Sequence, residues 1–261
     1  MMNKPKKPGK PPLTVEQKIL RRNFISFTVF TGLGAAAYGG WTWLRTSPLE
    51  AKGVTAGARK PFRRALNQSE VASRKVFSSN NLARTYPKSR AAKFVRQNGA
   101  VGLKGEFKVD EWQMALKKKS GEVINISIDQ IRALPKTELI FDFKCVEGWD
   151  QIQHWGGVSF LDFIDHFELN AEADMHYVGM QTPDKKYYVG IDMESILHPQ
   201  TILAYEMNDL PLKINHGAPL RLIIPVKYGI KNLKRIGTLI LSEERPADYW
   251  AERGYDYYSG L

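Results

Sequence analysis

The chain of 261 residues has one cysteine, Cys145. A single thiol cannot close an internal disulfide, and Fe–S clusters, which need several cysteines, are excluded with it. No CxxCH is present, which excludes a covalently attached c-type haem. The five histidines, His154, His166, His176, His198 and His216, show neither HExxH nor any paired spacing. The sequence therefore gathers no three-ligand zinc site. GxGxxG and GxxxxGK followed by Ser or Thr are both missing, so no dinucleotide or P-loop signature exists. Strands and helices do not alternate regularly, which argues against a doubly wound parallel sheet. Zinc-finger spacing, a helix-turn-helix pattern and aromatic RNA-binding motifs are absent too. The net charge of +11 thus has no nucleic-acid motif behind it, and no nucleic acid is expected.

What is present begins with the placement of that charge. Lys4, Lys6, Lys7, Lys10, Lys18, Arg21 and Arg22 against Glu16 put more than half of the excess in the first 22 residues. Phe24 to Leu44 then carries no charge over about 21 residues, close to the ~20 that cross a bilayer as a helix. Lysines ahead of an apolar run hold the leading segment in the cytoplasm, and Trp41 and Trp43 stand where an interfacial aromatic belt would. Arg21-Arg22-Asn23-Phe24-Ile25 resembles the twin-arginine export signal, which is read by a translocase for folded proteins. A plain signal anchor with chance arginines is the alternative. Ala56-Gly57-Ala58 fits the small-residue rule for processing but lies far past the apolar run, so a retained anchor is expected. The expected organisation is a basic cytoplasmic region over 1–23, a signal or membrane helix over 24–44, a tether over 45–75 and one globular domain over 76–261. That domain lies on the periplasmic side of the membrane.

Within the domain, alternating residues predict strands over Glu111–Leu116 and Val123–Ile128, with a short helix over Ser127–Leu134 ending before Pro135. Glu138 to Cys145 reads as a strand delivering the cysteine. Phe160, Phe163, Ile164 and Phe167 recur at helical spacing after Ser159. Met175–Gln181 and Lys186–Ile191 are strands around Pro183-Asp184. Ile202–Met207 and Leu212–Asn215 flank Asn208-Asp209, a hairpin turn. Leu220–Pro225 and Ile236–Leu241 are buried strands. The aromatic tail from Arg245 wraps the surface.

Cys145 is either a buried filler or a working thiolate. Free cysteine packs like a small hydrophobe. A nucleophilic pairing with His154 has no recognisable motif behind it. A single soft thiolate is nevertheless enough for a metal whose other ligands come from an organic cofactor. The second chemical segment is Ile214 to Arg221, continued by Pro225 to Lys234. A glycine turn with Arg and Lys nearby forms an anion pocket suited to phosphate. A solvated basic loop is the alternative.

Together CVEGW, AYEMNDLPL, HGAPLRLIIPVKYGIKNLK and the closing ERP resemble the molybdopterin-binding domain of the sulfite oxidase superfamily. The likeness covers about residues 76–250. It is nearest to the exported bacterial branch that includes the catalytic subunit of periplasmic methionine-sulfoxide reductase. The resemblance implies an α+β fold, with mixed sheets and a barrel-like core, preceded here by the N-terminal membrane helix. It implies a molybdenum-molybdopterin cofactor, with Cys145 as metal ligand and catalytic residue. Arg221 and Lys234 would hold the pterin phosphate, Asn232 and Leu233 would add backbone contacts, and His216 would stand against the cofactor. Thr182 and Asn80 match cofactor-contacting positions, and Arg96 would serve as a substrate-site arginine.

The branch departs here after its asparagine pair. Leu82-Ala83-Arg84 replaces an aromatic and an acidic residue. The expected activity is two-electron oxygen-atom transfer on a small sulfoxide- or sulfite-type substrate, with electrons exchanged through a separate cytochrome-type partner. No dimerisation domain follows, so a monomer is expected. The alternative is a membrane-anchored, non-catalytic binding or scaffold protein that retains the fold.

Overall fold

The computed structural model describes residues 13–261, so the first twelve positions of the basic segment 1–23 lie outside the described residues. The chain forms two compact units, one ending at Pro48 and one running from Leu49 to Leu261.

The first unit is one helix, α1 (Val15–Thr46). Thr14 caps it: its hydroxyl accepts from Gln17 N, and the Gln17 side chain accepts from Thr14 N. This reciprocal pairing satisfies two donors that a helix start leaves open. The expected helix is present, but the expected membrane span is not. Among the described residues no helix is long and apolar enough to cross a membrane. Length is sufficient and apolarity is not, because Gly32, Gly34, Gly39 and Gly40, with Thr28, Thr31 and Thr42, dilute the uncharged run.

The second unit starts earlier than the sequence predicts. Inside the expected tether lies a 17-residue helix, α2 (Lys60–Val76). Its buried side chains are Arg63 and Glu70, and both are polar. Arg63 donates to both Glu50 carboxylate oxygens, at 2.7 and 3.0 Å, and to the carbonyls of Tyr255 and Ala251. Glu70 accepts from Arg74 at 3.0 Å and from Arg245 at 2.7 Å. An apolar-periodicity reading misses such a helix because ion pairs, not an apolar stripe, hold it down.

The remaining elements in chain order are β1 (Gln113–Lys117), β2 (Val123–Ser127), α3 (Ile128–Arg132), β3 (Lys136–Lys144), β4 (Asp150–Ser159), α4 (Phe160–His166) and α5 (Asn170–Ala173). Then come β5 (Tyr177–Gln181), β6 (Tyr188–Asp192), α6 (Met193–Ile196), β7 (Ile202–Met207), β8 (Leu210–Pro211), β9 (Arg221–Ile223) and β10 (Thr238–Ser242). One sheet has the order β2-β1-β10-β5-β6, in which only β1 and β10 run parallel. The other has the order β3-β4-β7-β8, with β9 also paired to β7. The α+β class with mixed pairing stands. The barrel-like core does not: among the described residues neither sheet closes on itself, and β2, β6 and β3 remain edges.

The second sheet lies between two apolar clusters. Leu203, Tyr205, Val158 and Leu222 join the larger one, with Met114, Leu116, Phe160 and Phe163. Ile202, Ala204, Trp155 and Ile223 join the smaller one, with Leu139, Phe141 and Phe143. Alternate residues of β7 thus face opposite cores, which is why that strand reads as a continuous apolar run.

The hairpin turn falls where expected. Asn208 and Asp209 have φ of 54° and 61°, the left-handed pair that a two-residue hairpin demands. The strand expected over Leu212–Asn215 is not formed: the pairing strand is Leu210–Pro211, directly after the turn, and Ile214–His216 forms a 3₁₀ turn. The longest strand, β4, is not legible in the sequence. Gln153 and His154 are buried in it, and its register to β7 shifts between Gly156 and Gly157. A Cβ at Gly157 would lie 2.2 Å from the Leu203 carbonyl oxygen, so glycine permits the bulge.

Arg63→Met should strand the Glu50 carboxylate and release the carbonyls of the tail. A loss of about 3–5 kcal/mol is expected, read as a lowered urea midpoint with an unchanged slope.

Candidate functional site

Cys145 follows β3 directly and starts a tight turn. Its amide donates to the Trp149 carbonyl at 2.9 Å, and the Gly148 amide donates back to the Cys145 carbonyl at 3.1 Å. Gly148 has φ of 82°, a conformation open to glycine at no steric cost. The turn returns the chain into β4 and leaves Cys145 buried, 5% exposed. Burial pushes the thiol up from its ordinary value, while the Arg96 charge acts in the opposite direction. Arg96 itself is exposed, and its guanidinium lies 4.7 Å from the centroid of the Trp149 ring. Trp149 stacks on Phe143 and donates to the Glu147 carboxylate at 2.8 Å. The predicted substrate-side arginine is thus brought to the cysteine by stacking on the tryptophan of the same motif.

Cys145, Asn232 and Lys234 line one cavity, together with Tyr187, Trp250 and Tyr255. Residues predicted from two separate segments therefore converge. The aromatic wall is the part the sequence did not assign. Its only signal is the density of aromatic residues from Tyr249 to Tyr258.

The charges in the segment 221–234 divide into two kinds. Lys227 pairs with Asp192 at 2.8 Å, and Lys231 pairs with Asp248 at 2.5 Å, all buried. These lysines are internally neutralised and are not available to an anion. Arg221 and Lys234 are buried without any carboxylate among the described residues. Arg221 donates to the carbonyls of His216 and Asn232 at 3.1 and 3.3 Å, and its Nε has no partner. Burial pushes it down to about 9. Lys234 donates to the carbonyls of Asn98 and Gly99, and burial followed by the Arg221 charge pushes it down to about 7. His216, beside them, is pushed down to about 4 by burial and then by Arg221, Lys234 and Lys213.

Buried cations of this kind are costly unless an anion joins them. An orphaned buried guanidinium N–H, an ammonium satisfied only by carbonyls and a histidine held neutral by its cationic neighbours together fit a phosphate group. A lone thiol beside them supplies the one soft ligand that a cofactor-borne metal needs.

The other predicted residues are placed differently. Asn232 is committed on both ends: its Oδ1 accepts from Ile224 N and its Nδ2 donates to the Tyr228 carbonyl. The amide of Leu233 donates to the Lys231 carbonyl, and its own carbonyl accepts from Leu222. Thr182 is buried at the β5–β6 turn, with its hydroxyl donating to Asp184 at 2.6 Å. It packs against Gly102, where a Cβ would come within 2.5 Å of it. Asn80 is exposed in the turn that leads into Leu82. Neither Thr182 nor Asn80 lines the cavity at Cys145.

Comparison with known proteins follows this geometry. The family described as the oxidoreductase molybdopterin binding domain matches residues 100–250. A protein of Azospira oryzae, named as a proposed protein-methionine-sulfoxide reductase subunit YedZ1, is 35% identical over 188 residues, which cover 71% of this chain and 70% of that protein. The protein-methionine-sulfoxide reductase catalytic subunit MsrP of Campylobacter jejuni is 29% identical over 179 residues, 62% of this chain and 60% of that one. The crystal structure of the sulfane dehydrogenase SoxCD from Paracoccus pantotrophus aligns at a TM-score of 0.48 and 14% identity, over 54% of this chain and 40% of that one, too partially to bear on the assignment. On the family match and the first of these relatives, the chain belongs to the molybdopterin-binding oxidoreductases of the sulfite oxidase superfamily and is a molybdenum-dependent enzyme.

Proposed function

We propose that this enzyme reduces sulfoxides, methionine sulfoxide among them, at a molybdenum held by Cys145. The observation that carries the reading is the convergence of a buried thiol, the buried Lys234 and an aromatic wall on one cavity, with Arg221, which also lacks a carboxylate partner among the described residues, buried close enough to Lys234 to act on its charge. Bound there, the molybdenum cofactor supplies two-electron oxygen-atom transfer. Reduction of a sulfoxide consumes two electrons and two protons and releases the sulfide and water. A separate cytochrome-type partner supplies the electrons.

The chain's own residues take the remaining roles. Arg221 and Lys234 grip the cofactor phosphate, with His216 neutral beside them. Asn232 holds the loop that presents Lys234. Leu233 anchors that loop in the core, with its backbone hydrogen bonds internal. Thr182 keeps the β5–β6 turn against Gly102. Asn80 and Arg96 stand on the solvent side, with Arg96 beside the metal ligand. Tyr187, Trp250 and Tyr255 form a wall suited to a neutral sulfur group, since sulfur packs favourably against aromatic rings. The names of the relatives YedZ1 and MsrP, both methionine-sulfoxide reductase subunits, support this substrate class. The Arg21-Arg22-Asn23-Phe24-Ile25 signal supports export of the folded, loaded enzyme to the periplasmic side, and its only moderately apolar helix suits a targeting segment.

Protein purified after export should contain stoichiometric molybdenum and pterin, and should turn over sulfoxides with an artificial donor faster than it oxidises sulfite. Metal-free protein would favour the non-catalytic scaffold, and a preference for sulfite would overturn the substrate class. Cys145→Ser should lose turnover and the molybdenum EPR signal while its circular dichroism is unchanged.

His216 carries a pH prediction for the cofactor-free protein. The unfolded chain takes up this proton near the ordinary 6.5, and the folded chain only near about 4. The stability it contributes is therefore full above pH 6.5 and is lost as pH falls toward 4. His216→Asn should flatten that acid limb, measured as denaturation midpoints between these two values.

A further inference from the structure

Among the described residues three buried side-chain nitrogens have no hydrogen-bond partner. Two of them, Arg221 Nε and Trp155 Nε1, belong to side chains in contact. The guanidinium carbon of Arg221 stands 4.5 Å from the centroid of the Trp155 ring, and both residues are 1% exposed. The sheet explains how they meet. Arg221 on β9 lies opposite Ala204 on β7, and Ala204 lies opposite Gly157 on β4. Directly opposed residues share a face, here the face that carries Trp155, Ile202, Ala204 and Ile223. Ala204 and Gly157 present little or no side chain in that row. The long Arg221 side chain is thereby free to lie across them onto the indole, two residues before Gly157.

A cation over an aromatic face is attracted by the ring quadrupole, most strongly by Trp and most where water is excluded. Among the described residues no carboxylate pairs with Arg221, so besides two backbone carbonyls it is the indole that favours its charge. Two backbone carbonyls fix its terminal nitrogens, and the ring fixes the plane.

Resting on the phosphate-site reading above, we propose that Trp155 is a positioning residue for phosphate binding: its indole face carries the Arg221 guanidinium and sets its orientation toward the anion. The site would then be tuned from the strand behind it, by a residue that does not line the cavity.

The test is a double-mutant cycle on the full chain without cofactor. Stabilisation by inorganic phosphate is compared with chloride at equal ionic strength, for wild type, Trp155→Leu, Arg221→Met and the pair. Wild type should show phosphate-specific stabilisation. Each single variant should weaken the apparent phosphate affinity about tenfold or more, and the pair should be no weaker than Arg221→Met alone. Trp155→Phe, which keeps a ring face, should restore most of the response. If Trp155→Leu does not fold, Trp155→Met takes its place. A second readout is retention of pterin by loaded protein during gel filtration, which Trp155→Leu should lower and Trp155→Phe should not. No phosphate response in wild type would defeat the phosphate-site reading itself. A wild-type response left intact in Trp155→Leu, or additive losses in the cycle, would overturn the role of Trp155 alone.

Discussion

A cation buried in a protein without a carboxylate beside it is costly unless an anion joins it. Arg221 and Lys234 impose that constraint here, and much of the second unit is arranged around it. The bulge at Gly156–Gly157 and the small Ala204 make room for Arg221 in the sheet. The 3₁₀ turn at Ile214–His216 and Gly217, at φ of 101°, deliver the carbonyl that accepts from it. The carbonyls of Asn98 and Gly99 aim Lys234 into the cavity wall. All of this would be unfavourable for an isolated domain, and it makes sense for one that encloses an anionic cofactor.

The same segment shows how chemically similar residues are sorted by their surroundings. Four basic residues lie within fourteen positions, and each is buried. Lys227 and Lys231 meet Asp192 and Asp248 and are spent on the fold, with Tyr258 and Tyr257 over their ammonium groups. Among the described residues Arg221 and Lys234 meet only carbonyls and an indole. The difference lies in which distant strand or tail supplies the partner, so a local reading of a lysine-rich loop cannot separate the two classes. The resemblance to the sulfite oxidase superfamily singles out Arg221 and Lys234, the two that lack a carboxylate among the described residues.

Legibility followed the kind of force involved. Strands with alternating or continuous apolar residues, such as β3, β7 and β10, are visible in the sequence because burial writes its period into the chain. The hairpin at Asn208-Asp209 is visible because left-handed backbone restricts residue choice. β4 is hidden because its burial includes Gln153, His154 and two glycines. α2 is hidden because ion pairs carry it. The convergence of Cys145, Asn232 and Lys234 needed the fold, since almost ninety positions separate the first from the last. The aromatic wall from Trp250 and Tyr255 needed it too.

The anchoring of the tail has a consequence in time. Trp250 and Tyr255 close one side of the cavity, and the carbonyls of Ala251 and Tyr255 are held by Arg63 from α2, close to the start of the second unit. The first and last parts of the unit are therefore tied together at the wall of the active site. During folding that wall closes only when the segment around Trp250 and Tyr255 has met α2, so the cavity stays an open cleft until contacts about 190 positions apart have formed.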